Sequence, residues 1–409
     1  MKVFVVDQSF FGLLYDVQFA AALAATGADT TLIGRPLRPY EEVTSGGFRM
    51  LPLFYGFAEQ FPRRLKPLAQ ATKGVEHARG MQALIDLVRR ERPDVVHFEW
   101  VVLPLLDRIL LPRLARLVPL VLTVHNSIPW HGTSSSALMI KGHDEVLRTF
   151  DHLIPHTENI RVHLQGLRIP DARMSLLPHP AVRLPRVPEA AARFAARGED
   201  APVEILLFGS LKPYKGADLL VRAGLLLAQH RRDFRITICG KPFYDLEPLR
   251  TEIAAAGAAE LIQIEARHQT EHELGTRLEG TDVVVFPYRE IDASGAFACA
   301  SQFGKPIVAT ELGVFAEAPV RDHLRLLPPE SPQALADALE ELIADPAKRA
   351  HWAGRSRALQ GLMYSWDQFA RDCVDLYGRL FRNNGSRGHA SQPANRVGRA
   401  DGSGPDPRN

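Results

Sequence analysis

Short uninterrupted apolar runs alternate with stretches whose apolar residues recur at helical spacing, and this alternation organises most of the chain. In the first half the runs at 2–6, 30–34, 48–53, 95–98, 120–125 and 152–155 read as strands, with 174–177 closing the set. Runs that are apolar at successive positions belong to strands covered on both faces, so a parallel sheet between helical layers is expected. The covering helices include 16–26, alanine-rich and ended by Gly27, and 80–90, where Met81, Leu84, Ile85 and Val88 share one face.

After PHPAV at 178–182 the pattern breaks, and residues 183–201 become charged and rich in proline and alanine. They are expected to link a first domain, 1–182, to a second at 202–360, where runs at 204–208, 235–239, 261–265, 283–286, 306–309 and 324–327 renew the alternation. At 361–382, Ser365 and Gln368 predict a capping box, and Trp366, Phe369, Ala370, Cys373, Tyr377, Leu380 and Phe381 follow at helical spacing. That helix needs a core to bury its face, and its periodicity does not say which domain provides it. The segment 383–409 is Gly, Ser, Asn, Pro and Arg with almost no large apolar residue, and is expected to be a disordered tail.

Candidate chemistry concentrates where strands end. In VVVFPYREIDASG at 283–295 an apolar strand runs into a polar loop, and Ser294-Gly295 stand where a helix begins, with free N–H groups suited to an anion. EILLFGSLKPYKG at 204–216 repeats the design, with Gly209 at the turn and Lys212 and Lys215 before a leucine-rich helix. A lysine just before a helix start opposes the helix dipole, which argues for a functional placement. Two such loops can grip one diphosphate. His125 ends a strand, and strand C-termini in open parallel sheets face the ligand crevice.

Composition narrows the field without identifying a ligand. The 409 residues exceed one compact core, and 49 basic against 47 acidic residues, net +2, do not argue for nucleic acid as a partner. Cys239, Cys299 and Cys373 are far apart in apolar patterns and read as reduced core residues. The chain opens on a strand with no charged leader, and no run reaches the ~20 apolar residues of a membrane span, so a cytoplasmic location is expected. Segment 61–73 carries Arg63, Arg64, Lys66 and Lys73 beside Phe61, Leu65 and Leu68, which fits a solvated basic helix or peripheral contact with an anionic membrane. The loop 7–16, with Phe10, Phe11, Leu13 and Leu14, suits either packing beneath a neighbour or a wall for an acceptor with apolar character.

FGSLKPYKG at 208–216, GKPF at 240–243, VVVFPYREIDASG at 283–295 and FGKPIVATELGVFAE at 303–317 together resemble the retaining family-4 glycosyltransferases of the GT-B fold. RPDVVHFEW at 92–100, LTVHNSIPW at 122–130 and LLPHP at 176–180 support the likeness in the first half. It covers 1–382. It implies two Rossmann-like α/β domains with a cleft between them and a last helix crossing back to the first domain. It also implies a donor nucleotide diphosphate sugar, UDP- or GDP-hexose, on the second domain, with a glycan or polyprenyl-linked acceptor on the first and no metal. Polysaccharide or glycoconjugate assembly is the implied setting.

By the same resemblance Lys215 stabilises the leaving diphosphate, with Gly209, Ser210, Lys212, Ser294 and Gly295 around it. Gly12, Gly240, Arg267, His268, Asp292 and Glu317 complete the donor site, and His125 and Glu290 contact the reacting sugar. The chain departs from the family where two glutamates are usual. Cys299 stands at the second, which would accept from the ribose, and Ile291 at the first, flanked by Glu290 and Asp292. The likeness favours retention; inversion would need a general base, for which Asp7 and His125 are the candidates. A GT-B sugar-nucleotide epimerase and a non-catalytic nucleotide-sugar-binding partner protein are the alternative readings.

Overall fold

The computed structural model describes the chain except residues 42, 44–45, 58–65, 128–141, 199 and 389–409, with backbone alone at 66–71 and 383–388. Among the described residues, β1 (Lys2–Val6), β2 (Asp29–Gly34), β3 (Arg49–Pro52), β4 (Val95–Phe98), β5 (Leu120–Val124) and β6 (His152–Pro155) form one sheet. Its order is β3-β2-β1-β4-β5-β6, and every pairing is parallel. A second sheet contains β7 (Val203–Phe208), β8 (Phe234–Cys239), β9 (Ile262–Glu265), β10 (Val283–Phe286), β11 (Ile307–Thr310) and β12 (Arg325–Leu327). Its order, β12-β11-β10-β7-β8-β9, is the same winding read from the other edge, again all parallel.

The central strands β1, β4, β5, β7 and β10 are nearly or wholly buried, as their continuous apolar runs require. In such a sheet the chain reverses its direction of growth between two neighbouring strands, and the loops there diverge to leave a crevice. The reversal falls between β1 and β4 in the first sheet and between β7 and β10 in the second. Asp7 and Glu99 leave the first pair of strands, and Gly209 and Pro287 leave the second.

Three expectations are corrected. Residues 174–177 make no strand: Met174 forms an isolated bridge to Leu153, and Ser175 and Leu177 donate to the carbonyls of Leu153 and Pro155. Pro178 and Pro180 follow, and a residue without an N–H cannot extend a ladder. The segment 183–201 is not an open linker. It holds the helix Pro188–Ala195, begun by a proline at its first turn, which packs on the helix Glu271–Glu279 of the second domain, while Leu184 joins that domain's core. Only half of the capping box forms: Gln368 donates its backbone N–H to Ser365 Oγ at 3.1 Å, but its side-chain amide donates to Asp372.

The helix Trp366–Gly388 crosses back to the first domain. Trp366, Phe369, Ala370, Cys373, Leu376 and Tyr377 pack with Val3, Val5, Phe19 and Leu23. The expected tail 383–409 is corrected at its start, since the helix runs on through 383–388, and 389–409 lie outside the described residues, as do 61–65 and the side chains of 66–71; Lys73 rests its ammonium 5.6 Å from the Tyr55 ring centre. No described helix is long and apolar enough to cross a membrane. Phe369 is fully buried among aromatic neighbours. Phe369→Ala is therefore expected to lower stability by about 3–5 kcal/mol, seen as an earlier urea midpoint with the closing helix released.

Candidate active site

Gly209 follows β7 with φ +110°, and Gly240 follows β8 with φ +147°. A Cβ on Gly240 would lie 1.7 Å from the Gly209 carbonyl oxygen, so the two turns cross at a distance only glycine permits. The Lys215 ammonium sits against this crossing, 3.1 Å from where a Gly209 Cβ would be and 5.1 Å from the Tyr288 ring centre. Lys215 is buried, and burial pushes its pKa below the usual lysine range. Lys212 is lowered as well, by burial and then by Lys215.

Across from Lys215, Ser294 caps the helix Gly295–Ala300, its hydroxyl accepting from Phe297 N at 3.2 Å. Nothing stands within 4 Å of where a Gly295 Cβ would point, so the backbone there is open to approach. The helix has six residues, so its dipole is short and the lysines carry most of the positive potential.

Arg289, from the same PYR sequence, does not face the ligand. It forms paired 2.8 Å bonds to both oxygens of Asp218, donates to Glu330 at 2.7 Å and to the Pro213 carbonyl at 3.0 Å, and takes the Tyr214 carbonyl on its own N–H. The pair staples the Lys215 turn to the loop after β10. Gly216, at φ +68°, allows the same approach, since a Cβ there would lie 2.0 Å from the Pro287 oxygen.

The other expected donor residues divide into three groups. Ser210, Lys212, Glu290 and Asp292 line a cavity of about 350 Å³ between the domains, with Tyr214, Phe243, Ile291 and Ala293 on the same side. Asp292 also ties the domains together, Oδ2 accepting from Ser127 N at 2.7 Å and Ser127 Oγ at 2.6 Å. Arg267 is ion-paired to Glu273 at 2.8 Å within the second domain, and His268 meets the Tyr40 ring at 4.9 Å in a separate interdomain contact. Gly12 and Glu317 lie away from the lysines. Gly12 caps a first-domain helix with its N–H 3.4 Å from Asp7, and the Glu317 carboxyl, raised by burial, lies near the backbone of Asn159 and Glu158 across the cleft.

Cys299 is buried in the Gly295–Ala300 helix, and burial pushes its thiol up to about 12, so it is neutral at physiological pH. Cys239 and Cys373 are also free and buried.

The first domain faces this cavity with Phe11, Trp100 and Asn126. Behind them lies a buried hydrogen-bonded chain. The Tyr377 hydroxyl meets His97 Nδ1, His97 Nε2 meets Thr123 Oγ1 at 2.7 Å, Thr123 reaches Glu99 Oε1 at 3.4 Å, and His125 Nε2 meets Glu99 Oε2 at 3.0 Å. The partners assign each imidazole as neutral, His125 donating to the carboxylate, and burial lowers both His97 and His125 to about 4. Burial pushes Glu99 up to about 7.

His125 therefore reaches the expected end of β5 but is 11% exposed, with the Trp100 ring stacked on it at 4.6 Å. Asp7 accepts the N–H groups of Ser9 at 3.0 Å and Phe11 at 2.7 Å. Asp16, buried beside it, meets no donor from elsewhere, and burial followed by the Asp7 charge pushes its carboxyl well up. The apolar loop splits: Phe10 turns inward into the core at φ +48°, and Phe11 turns outward into the cavity.

Residues 202–345 match the family described as Glycosyl transferases group 1, and 15–180 match the Glycosyl transferase 4-like domain. The chain belongs to the group 1 glycosyl transferases. Among curated relatives, the D-inositol 3-phosphate glycosyltransferase of Kineococcus radiotolerans is 26% identical over 408 residues, covering 90% of each chain. That of Salinispora tropica is 27% identical over 299 residues, covering 66% of this chain and 61% of its own. The fold is shared with sucrose-phosphate synthase from Thermosynechococcus elongatus (TM-score 0.72, 17% identity, 94% of this chain and 100% of that one). It is shared too with Anabaena HepE in complex with UDP (TM-score 0.64, 15% identity, 93% and 100%). These neighbours establish the GT-B architecture.

In this glycosyl transferase, sequence reasoning missed Trp100, Arg289 and Phe243. Trp100 ended the quoted RPDVVHFEW motif, two residues beyond the strand, where a switch-point position was the available signal. Arg289 had no local signal, because its partner Asp218 is 71 positions away. Gly240→Ala is expected to abolish nucleotide binding and to destabilise the second domain more than Ser294→Ala, whose lost cap costs about 1 kcal/mol. Urea titration and calorimetric nucleotide binding of both variants check the ordering.

Proposed function

We propose that this glycosyl transferase moves a hexose from a UDP- or GDP-hexose to a glycan or polyprenyl-linked acceptor, with Lys215 as the group that stabilises the departing diphosphate. The observation that carries the reading is the Lys215 ammonium itself, buried at the crossing of two glycine turns with no carboxylate partner among the described residues. Cleavage of the anomeric C–O bond places the electron pair on the diphosphate oxygen, and a fixed desolvated cation there lowers the barrier. Lys212, Ser210 and the open backbone at Gly295 add donors around the same charge. The chemistry so arranged requires no metal ion.

Retention is the stereochemical outcome we favour. His125 is covered by Trp100 and donates to Glu99, and Asp7 accepts backbone N–H groups, so neither inverting candidate is presented to the cavity as a base. Glu290 lines the cavity and is our choice for the carboxylate beside the transferred sugar.

Lys215→Ala is expected to lower kcat by about 10²–10³, measured as nucleotide release from UDP- and GDP-hexoses. Bound diphosphate stabilises the ammonium, so above the lowered pKa of the free protein binding must take up a proton, and affinity falls as pH rises through that value. Below it the lysine is already charged and affinity is flat until the diphosphate itself protonates. The alkaline fall should begin below the ~10.4 of an ordinary lysine, and Lys215→Arg, whose guanidinium stays charged, should flatten it. An unchanged profile in that variant would remove Lys215 from the role.

A further inference from the structure

The Lys215 ammonium lies over an aromatic ring. Its Nζ is 5.1 Å from the centre of the Tyr288 ring, within cation–π range, and among the described residues no carboxylate pairs with it. Tyr288 is fully buried, two residues beyond β10. Phe286 meets its ring at 5.5 Å, Phe315 at 5.7 Å and Tyr214 at 5.9 Å, and its carbonyl accepts the Thr310 hydroxyl at 2.7 Å. The residues on either side of it are stitched to the lysine turn: a Cβ on Gly216 would lie 2.0 Å from the Pro287 oxygen, and the Arg289 N–H donates to the Tyr214 carbonyl at 2.7 Å. Packing and backbone bonds thus fix the ring against the ammonium. The Tyr288 hydroxyl stands beside Ser294 but short of hydrogen-bond geometry, so it adds nothing to that placement.

We propose that Tyr288 is the positioning residue for Lys215, its ring face holding the ammonium where a carboxylate would otherwise stand and leaving the charge uncancelled for a donor diphosphate; the inference rests on the transferase reading above. A carboxylate would neutralise the lysine and would have to release it before a phosphate could take it. A π face attracts the cation through its quadrupole and carries no net charge, and the attraction is strongest where water is excluded. The other groups around Lys215 do not play this part. Lys212, in the same turn, is a like charge, and burial raises Tyr214 of that turn and Cys299 of the helix Gly295–Ala300, so both stay neutral where the lysine titrates; Glu290 acts on Tyr214. Loss of the ring face therefore removes a stabiliser of the charged form and lowers the lysine further.

The full chain is isotope-labelled at its lysine ε carbons, the Lys215 signal is assigned by its loss in Lys215→Arg, and the ligand-free protein is titrated by NMR. Tyr288→Phe, which keeps the ring, is expected to titrate with the wild type. Trifluorophenylalanine at position 288 keeps the shape of that ring and weakens its negative face, and Lys215 should then titrate about one pH unit lower than in Tyr288→Phe. UDP and GDP affinity, followed by calorimetry, should begin its alkaline fall earlier by the same interval, a loss of about tenfold at the alkaline end. Equal titration in the two aromatic variants would overturn the proposal. So would a shift of the same size in Tyr288→Phe, which would assign the effect to the hydroxyl. Wild-type affinity for UDP and GDP that ignores the Lys215 titration is a separate outcome: it would strike the donor reading, while the lysine signal still judges Tyr288.

Discussion

An ammonium buried without a carboxylate partner is the constraint around which the second domain is arranged. Leaving water costs Lys215 stability, and among the described residues no ion pair offsets that cost, so its pKa is held low. The surrounding devices keep that ammonium where it is. Gly209 and Gly240 let two turns cross within a contact no side chain would tolerate. Arg289, joined to Asp218 by two bonds, fastens the lysine turn to the loop that carries Glu290 and Asp292. The conspicuous cation of the PYR sequence thus holds the less conspicuous one in position.

The first domain answers with neutral, hydrogen-bonded aromatic groups. Burial keeps His97 and His125 uncharged, and they join a hydrogen-bonded chain that runs from Tyr377 to Glu99. Because Tyr377 belongs to the helix that crosses back from the second domain, the same element that closes the molecule also braces the wall of the cleft. Asp292 bonded to Ser127 and Glu317 seated at the backbone of Glu158 and Asn159 tie the two halves together around the cavity. Change at the domain contact is therefore coupled to the loop that lines the site.

Cys299 sharpens what the chain lacks relative to its resemblance. A thiol pushed up to about 12 by burial is neither a carboxylate nor a nucleophile at physiological pH, and it offers the ribose only weak hydrogen bonding. On the proposed reading, donor placement falls more heavily on the phosphate grip. The family membership is unaffected, because the domains match on their whole pattern of strands and turns and not on one acidic residue.

The strands were legible because a sheet covered on both faces demands apolar residues at successive positions; β1, β4, β6 and β10 fall where the runs predict, and β2, β5, β7, β8 and β11 within a residue. The lysine and serine-glycine loops were legible for a related reason, since strand C-termini at a reversal of winding are where ligands meet the chain. The sequence by itself determined the parallel architecture of the two sheets and the strand-end loops from which the phosphate grip is proposed. Tertiary structure alone decided which domain receives the last helix, that 183–201 docks as a helix on the second domain, and that His125 lies beneath Trp100. Those outcomes depend on partners far apart in sequence, such as Tyr377 and His97 at a separation of 280 residues, and periodicity records only which face of an element is buried, never what covers it.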